Sequence, residues 1–201
     1  MAEKVKQHAE AIKVGEGMGE GVEMGPVISA RAKTRIVDLI DDAEKRGSKV
    51  VLDGRGLTVP GYENGHFLGP TILDDVPLDA PVYTEEVFGP VLAVVHADTY
   101  DEALKIVNAQ PFGNGSAIFT NDGGIARRFT LDVEAGMVGV NVPIPTPVAF
   151  YSFGGWKESL LGDTHIHGPE GVNFYTRAKA ITERWLTEKT YAATMSFQRE
   201  E

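Results

Sequence analysis

The spacing of apolar residues outlines the elements of this chain. Val5, Ala9 and Ile12 recur at intervals of four and three, which places them on one face of a helix already in progress at residue 2 and running out at Gly15. A second helix is predicted after Ser29, a suitable N-cap, with Ile36, Leu39, Ile40 and Ala43 as its buried stripe and Gly47 placed to end it. Residues 49–53 then form a short apolar run of strand type, closed by Asp53-Gly54 and followed by a turn-rich polar stretch to about Gly65. Further runs rich in apolar and β-branched residues cover 67–73 and 90–97. After the second come Asp98, Thr99 and a helix carrying Ala103, Ile106 and Val107, with Thr99 and Glu102 at capping-box spacing.

Residues 116–120 read as a strand, 124–133 as a helix with Ile125, Phe129 and Val133 on one side, and 137–141 as another strand. Short apolar runs alternating with helices are the pattern of a parallel sheet covered on both faces, because parallel neighbours need long crossover connections. The fold class expected is therefore α/β with a parallel sheet. Beyond Val142 the pattern changes. Pro143, Pro145 and Pro147 at alternate positions forbid helix and central strand and keep the segment extended. A helix over 169–177 and a strand over 178–186 are predicted to follow.

Composition narrows the function classes. A chain of 201 residues buries roughly 70% of the surface its unfolded form exposes, enough for one core and one appendage. Its 19 Lys plus Arg against 29 Asp plus Glu give a formal net charge of −10. Phosphate backbones are bound by displacing counterions with basic side chains, so no nucleic acid partner is expected. Neither a signal-type apolar run nor a membrane-length segment occurs, which points to a soluble, cytoplasmic protein without a membrane partner. The chain contains no cysteine. Disulfides, thiolate metal sites and a cysteine nucleophile are thereby excluded from it.

Several motifs fail on inspection. Gly15, Gly17, Gly19 and Gly21 alternate instead of following the dinucleotide spacing, and Glu16 and Glu20 would oppose a pyrophosphate, so a mobile loop is expected there. Residues 154–159 lack the Gly-Lys-Ser/Thr ending of a phosphate loop. His165 and His167 would share one side of a strand, but no third ligand accompanies them, and no metal site is expected. No residue set within the chain forms a catalytic constellation by itself. One octapeptide, Tyr83-Thr84-Glu85-Glu86-Val87-Phe88-Gly89-Pro90, places a carboxylate two residues before an aromatic on the approach to a strand. Such a pair could hold a vicinal diol with the acid and cover a flat ring with the aromatic, but a solvated Glu pair beside a core Phe is the commoner outcome for such an octapeptide in isolation.

Three segments in order, Glu85-Glu86-Val87-Phe88-Gly89-Pro90, Gly139-Val140-Asn141 and Ser152-Phe153-Gly154-Gly155-Trp156-Lys157-Glu158-Ser159, resemble the C-terminal signatures of the aldehyde dehydrogenase superfamily. Residues 140–145, 152–159, Gly162-Asp163 and Phe174-Tyr175-Thr176 most resemble its acylating, coenzyme A-dependent branch, the methylmalonate-semialdehyde dehydrogenases. The likeness extends from about Val5 to Trp185 and implies a chemistry. A cysteine attacks the aldehyde, hydride leaves for NAD, and coenzyme A displaces the acyl group as a thioester, with decarboxylation for malonate-type semialdehydes. The resemblance assigns Glu86 to the nicotinamide ribose hydroxyls, Phe88 to the neighbourhood of the nicotinamide ring and, more weakly, Phe150 and Phe153 to the aldehyde pocket.

The same resemblance makes 1–162 part of a catalytic domain and 163–201 a C-terminal helix, oligomerisation strand and tail. It also covers only the last portion of the family pattern, after the nucleophilic cysteine and without the nucleotide-binding domain. The chain is therefore expected to be inactive alone, to bind NAD weakly through its nicotinamide end, and to partner with itself, an N-terminal half or a full-length homologue. A non-catalytic truncated paralogue acting as an interaction module is the alternative.

Overall fold

The computed structural model describes residues 2–162, 164–183 and 185. The chain packs as two compact units, residues 1–110 and residues from 111 onward.

The first unit is organised around α2 (Ala30–Lys45), after the short α1 (Ala2–Glu10). Ser29 caps α2 as its composition suggests, its Oγ accepting from the Ala32 N–H at 3.2 Å. Ile36, Ile40 and Ala43 are buried against Leu68, Leu73, Val76, Ala80 and Val82. Burial of this stripe away from water is the main stabilising contribution in the unit. The strands are β1 (Lys49–Leu52), β2 (Thr71–Asp74) and, after the short helix α3 (Pro81–Thr84), β3 (Val91–Ala93). β2 and β3 are parallel, pairing Thr71 with Val91 and Leu73 with Ala93. β1 and β2 are antiparallel, pairing Lys49 with Asp74 and Val50 with Leu73. The expectation of parallel pairing is therefore corrected for β1: an apolar run shows that a strand is buried but carries no sign of its direction. The connection between β1 and β2 closes on itself, with the Gly69 N–H donating to Gly54 O at 2.9 Å and the Gly54 N–H to Thr71 Oγ1 at 3.0 Å. A Cβ at Gly54 would lie 1.9 Å from the Gly69 oxygen, so only glycine permits this approach.

Helix α4 (Tyr100–Asn108) completes the unit. Thr99 Oγ1 accepts from the Glu102 N–H at 3.2 Å, while the Glu102 carboxylate accepts from the Asp98 N–H at 2.9 Å, one residue earlier than a simple capping box places it. The alternating glycines, expected as a mobile loop, are tied back: the Gly15 N–H donates to Met24 O at 3.0 Å, and Lys13 Nζ donates to Glu20 O at 2.6 Å.

The second unit holds β4 (Phe112–Gly113), β5 (Gly115–Ile118), α5 (Gly123–Asp132), β6 (Met137–Val140), β7 (Trp156–Lys157) and α6 (Pro169–Tyr175). β5, α5 and β6 form the strand–helix–strand crossover read from the sequence, with parallel pairs from Gly115–Met137 to Ile118–Val140. Asn141, at φ +56°, closes its end by accepting from the Thr120 N–H at 2.9 Å and donating to Thr120 O at 3.0 Å. The antiparallel pair β4–β7 is too short to show as a periodic pattern. Gly168 N–H donates to Ala149 O at 3.2 Å, and His167 stacks on Phe153. Residues 178–183 are exposed and carry no strand; Arg184 and Leu186 of that expected run lie outside the described residues. A strand needs a hydrogen-bonded neighbour, and among the described residues none supplies one there. Among the described residues no helix is long and apolar enough to cross a membrane.

Candidate functional site

In the first unit the octapeptide singled out by sequence comprises the last two residues of α3 and the loop that leads to β3. Its upstream end is fixed where the Glu85 N–H donates to Pro81 O at 2.9 Å, and its downstream end where Pro90 O accepts from the Thr71 N–H at 2.8 Å. The loop is held from behind by α2. Arg35 reaches Glu86 O with Nη1 and Nη2, both at 3.3 Å, and Nη2 also donates to Val87 O. Gly89 lies against Ile36, where a Cβ would come within 2.5 Å of the Ile36 Cδ1. Phe88 adopts φ +52°, a left-handed conformation disfavoured for an aromatic residue, and leaves its side chain 79% exposed. Glu86 is exposed on the same loop. The carboxylate and the aromatic face expected to act together are thus carried on one short, firmly held segment. A carboxylate with two acceptor oxygens matches two adjacent hydroxyls, and an uncovered aromatic face matches a flat heteroaromatic ring.

In the same unit α1 and the loop around Pro90 border an apolar groove of about 320 Å³ that includes Val5, Ala9, Ile12, Ile72 and Leu92. At one end of β2, His96 Nε2 lies 2.7 Å from Asp74 Oδ1 and 3.4 Å from Asp75 Oδ1. These groups are close enough to share a cation, but Lys49 Nζ already sits 2.5 Å from Asp75 Oδ2. The Lys49 hydrogen bond holds the Asp75 carboxyl below its usual range and raises the Lys49 ammonium in turn.

In the second unit the two pocket candidates differ. Phe153 is half-buried and stacks face to face on His167, with ring centroids 4.3 Å apart and planes at 4°. Phe150 is 69% exposed and leans on Tyr151 at 4.7 Å. One face of Phe153 is therefore occupied, whereas Phe150 remains open to a ligand. Glu170 accepts a hydrogen bond from Ser152 Oγ and lies 3.8 Å from His165 Nδ1, tying the loop to the start of α6. His165 packs on Gly154 and His167 on Phe153, so the two histidines do not line one strand face as their spacing suggested.

Residues 1–181 match the aldehyde dehydrogenase family. The chain belongs to that family. It is 48% identical over 190 residues to the malonate-semialdehyde dehydrogenase of Pseudomonas aeruginosa, covering 94% of this chain and 38% of the relative. It is 52% identical over 179 residues to a probable mitochondrial methylmalonate-semialdehyde/malonate-semialdehyde dehydrogenase [acylating] of Drosophila melanogaster, covering 89% and 34%. Among solved structures, a putative methylmalonate-semialdehyde dehydrogenase from Sinorhizobium meliloti 1021 complexed with NAD superposes with a TM-score of 0.89 at 48% identity. That match covers 92% of this chain and 38% of the solved one. The methylmalonate-semialdehyde dehydrogenase of Oceanimonas doudoroffii superposes with a TM-score of 0.90 at 44% identity, covering 94% and 38%. The α/β fold of this aldehyde dehydrogenase chain is that of its relatives, and it spans little more than a third of their length.

Sequence reasoning did not single out Arg35. It stands beside the buried Ile36 on α2, and its spacing marks it only as a polar position at the edge of the apolar stripe.

Proposed function

We propose that this chain supplies the C-terminal portion of the catalytic apparatus of an NAD-dependent, coenzyme A-acylating dehydrogenase of malonate- or methylmalonate-type semialdehydes. The observation that carries the reading is the pairing of exposed Glu86 and Phe88 on a loop held by α2, in a chain whose relatives carry that activity in their names. Glu86 accepts hydrogen bonds from the two ribose hydroxyls next to the nicotinamide. Phe88 covers one side of that ring and keeps water from it. NAD, when bound, takes up the hydride released as the aldehyde is oxidised. Phe150 lines the aldehyde side through its open face, and Phe153 supports the same loop by its stack on His167. Coenzyme A enters as the acyl acceptor of the acylating branch.

The thiolate that forms the acyl-enzyme has to come from outside these 201 residues, which contain no cysteine. The nucleophile and the adenine-binding surface lie on polypeptide outside these residues, and these residues by themselves turn over no aldehyde. Residues 178–186 pair with a neighbouring subunit, a reading supported by residues 178–183, which are exposed and carry no strand in the single chain. The division at residue 162 separates catalytic-domain residues from those that follow as helix, pairing strand and tail.

The test mixes the chain with the separately produced N-terminal portion of the Pseudomonas aeruginosa relative and follows NADH formation from malonate semialdehyde, NAD and coenzyme A. NADH forms only in the mixture, and Glu86→Gln lowers kcat/KM for NAD by about tenfold or more. A stable complex of folded partners that yields no NADH sinks the catalytic reading and leaves a non-catalytic interaction module. Turnover by the purified chain in proportion to its concentration sinks the requirement for a partner.

A further inference from the structure

We propose that Arg35 is a positioning residue for nicotinamide-riboside recognition, setting the loop conformation in which the Glu86 carboxylate and the Phe88 ring are presented together. The proposal rests on the reading of Glu86 and Phe88 given above and adds to it a side chain from a separate helix.

Consecutive carbonyls in extended chain point in opposite directions, so two that converge on one guanidinium require a turn between them. That convergence is observed: Nη1 and Nη2 both reach Glu86 O at 3.3 Å, and Nη2 also donates to Val87 O. The next residue, Phe88, adopts φ +52°. A left-handed aromatic residue persists only where its surroundings over-determine it. Here they comprise the Arg35 fork on one side and Ile36 against Gly89 on the other. Both come from adjacent positions of α2, a helix anchored in the core through Ile36, Ile40 and Ala43.

Arg35 is suited to the task because its planar fork carries several donors at fixed angles and can serve two acceptors at once. Its contacts go to main-chain oxygens, so they direct where Glu86 and Phe88 point without occupying the carboxylate that is to meet the ribose. A lysine ammonium at the same place is a single point of charge and can replace only part of this contact.

The experiment titrates the intact 201-residue chain with nicotinamide mononucleotide by NMR, comparing wild type with Arg35→Met, Arg35→Lys and Glu86→Gln. Amide exchange of residues 86–90 and thermal unfolding are recorded for each. Glu86→Gln and Arg35→Met each weaken binding about tenfold. Arg35→Met also speeds exchange at Val87, Phe88 and Gly89, and Arg35→Lys recovers part of the affinity. If Glu86→Gln weakens binding and Arg35→Met does not, the positioning role is overturned while the nicotinamide reading stands. If no variant, Glu86→Gln included, changes the response to the nucleotide, the nicotinamide reading fails and the positioning role falls with it. If Arg35→Met loses affinity only in step with its folded fraction and Arg35→Lys restores nothing, the residue is merely structural and the proposal is wrong.

Discussion

Arg55 pairs with three carboxylates. Its guanidinium contacts Asp41 at 2.5 Å, Glu44 at 2.9 Å and Asp53 at 2.6 Å, joining α2 to the turn after β1. The hydrogen bond from Arg55 holds the Asp53 carboxyl below its usual range, and Asp53 in turn raises Arg55. A carboxyl lowered by folding stabilises the protein above its unfolded value, near pH 4, and that contribution is lost as pH falls through the lowered value. Arg55→Met is therefore expected to destabilise by about 1–2 kcal/mol at pH 7. The difference shrinks as pH falls below about 4 and through the lowered Asp53 value, which urea unfolding across that range would show. Residue chemistry of this kind was only partly legible beforehand. Glu86 and Phe88 could be picked out because a motif carries them, whereas the reach of Arg55 to Asp41, 14 positions away, and of Arg35 to Glu86, 51 positions away, leaves no mark in local spacing.

At the scale of elements, local signals served best where a helix end is chosen by a single side chain. Ser29 and Thr99, read as caps from the sequence, each accept from a backbone N–H at the start of α2 and α4, and Asp122, which was not singled out, does the same for α5. Asp122 stands at the crossover joining β5 and β6, where its Oδ1 accepts from the Ile125 N–H at 2.9 Å. Asp122→Ala is expected to destabilise by about 1 kcal/mol, with Asp122→Asn retaining most of the stability because its amide oxygen can take the same bond. Urea midpoints at constant slope would check both. Strand direction was not legible. Residues 49–53 and 90–97 look alike as apolar runs, yet β1 pairs antiparallel and β3 parallel to the same β2. The choice depends on the path of the long connection from Asp53 to Pro70, where Gly54 and Gly69 meet backbone to backbone.

For the whole molecule, the exposed apolar side chains set an expectation. Leu161, Ile181 and Trp185 are 96%, 69% and 88% exposed, and Phe174 and Tyr175 also face outward. Large exposed apolar surfaces are unfavourable in water and mark interfaces, so the chain is expected to self-associate at micromolar concentration in the absence of a partner. A monomer by light scattering would contradict this. Adding the N-terminal portion of a relative should replace the self-associated species by a mixed complex. Helix positions, the β5–α5–β6 crossover, the absence of cysteine and the family signature at Glu86 and Phe88 followed from the sequence, because each depends on local periodicity, composition or a contiguous motif. The antiparallel placement of β1, the stack of His167 on Phe153 and the grip of Arg35 on the 86–88 loop were decided by tertiary structure. These contacts join residues distant along the chain, and only the packing of side chains in three dimensions selects among the many that composition would allow.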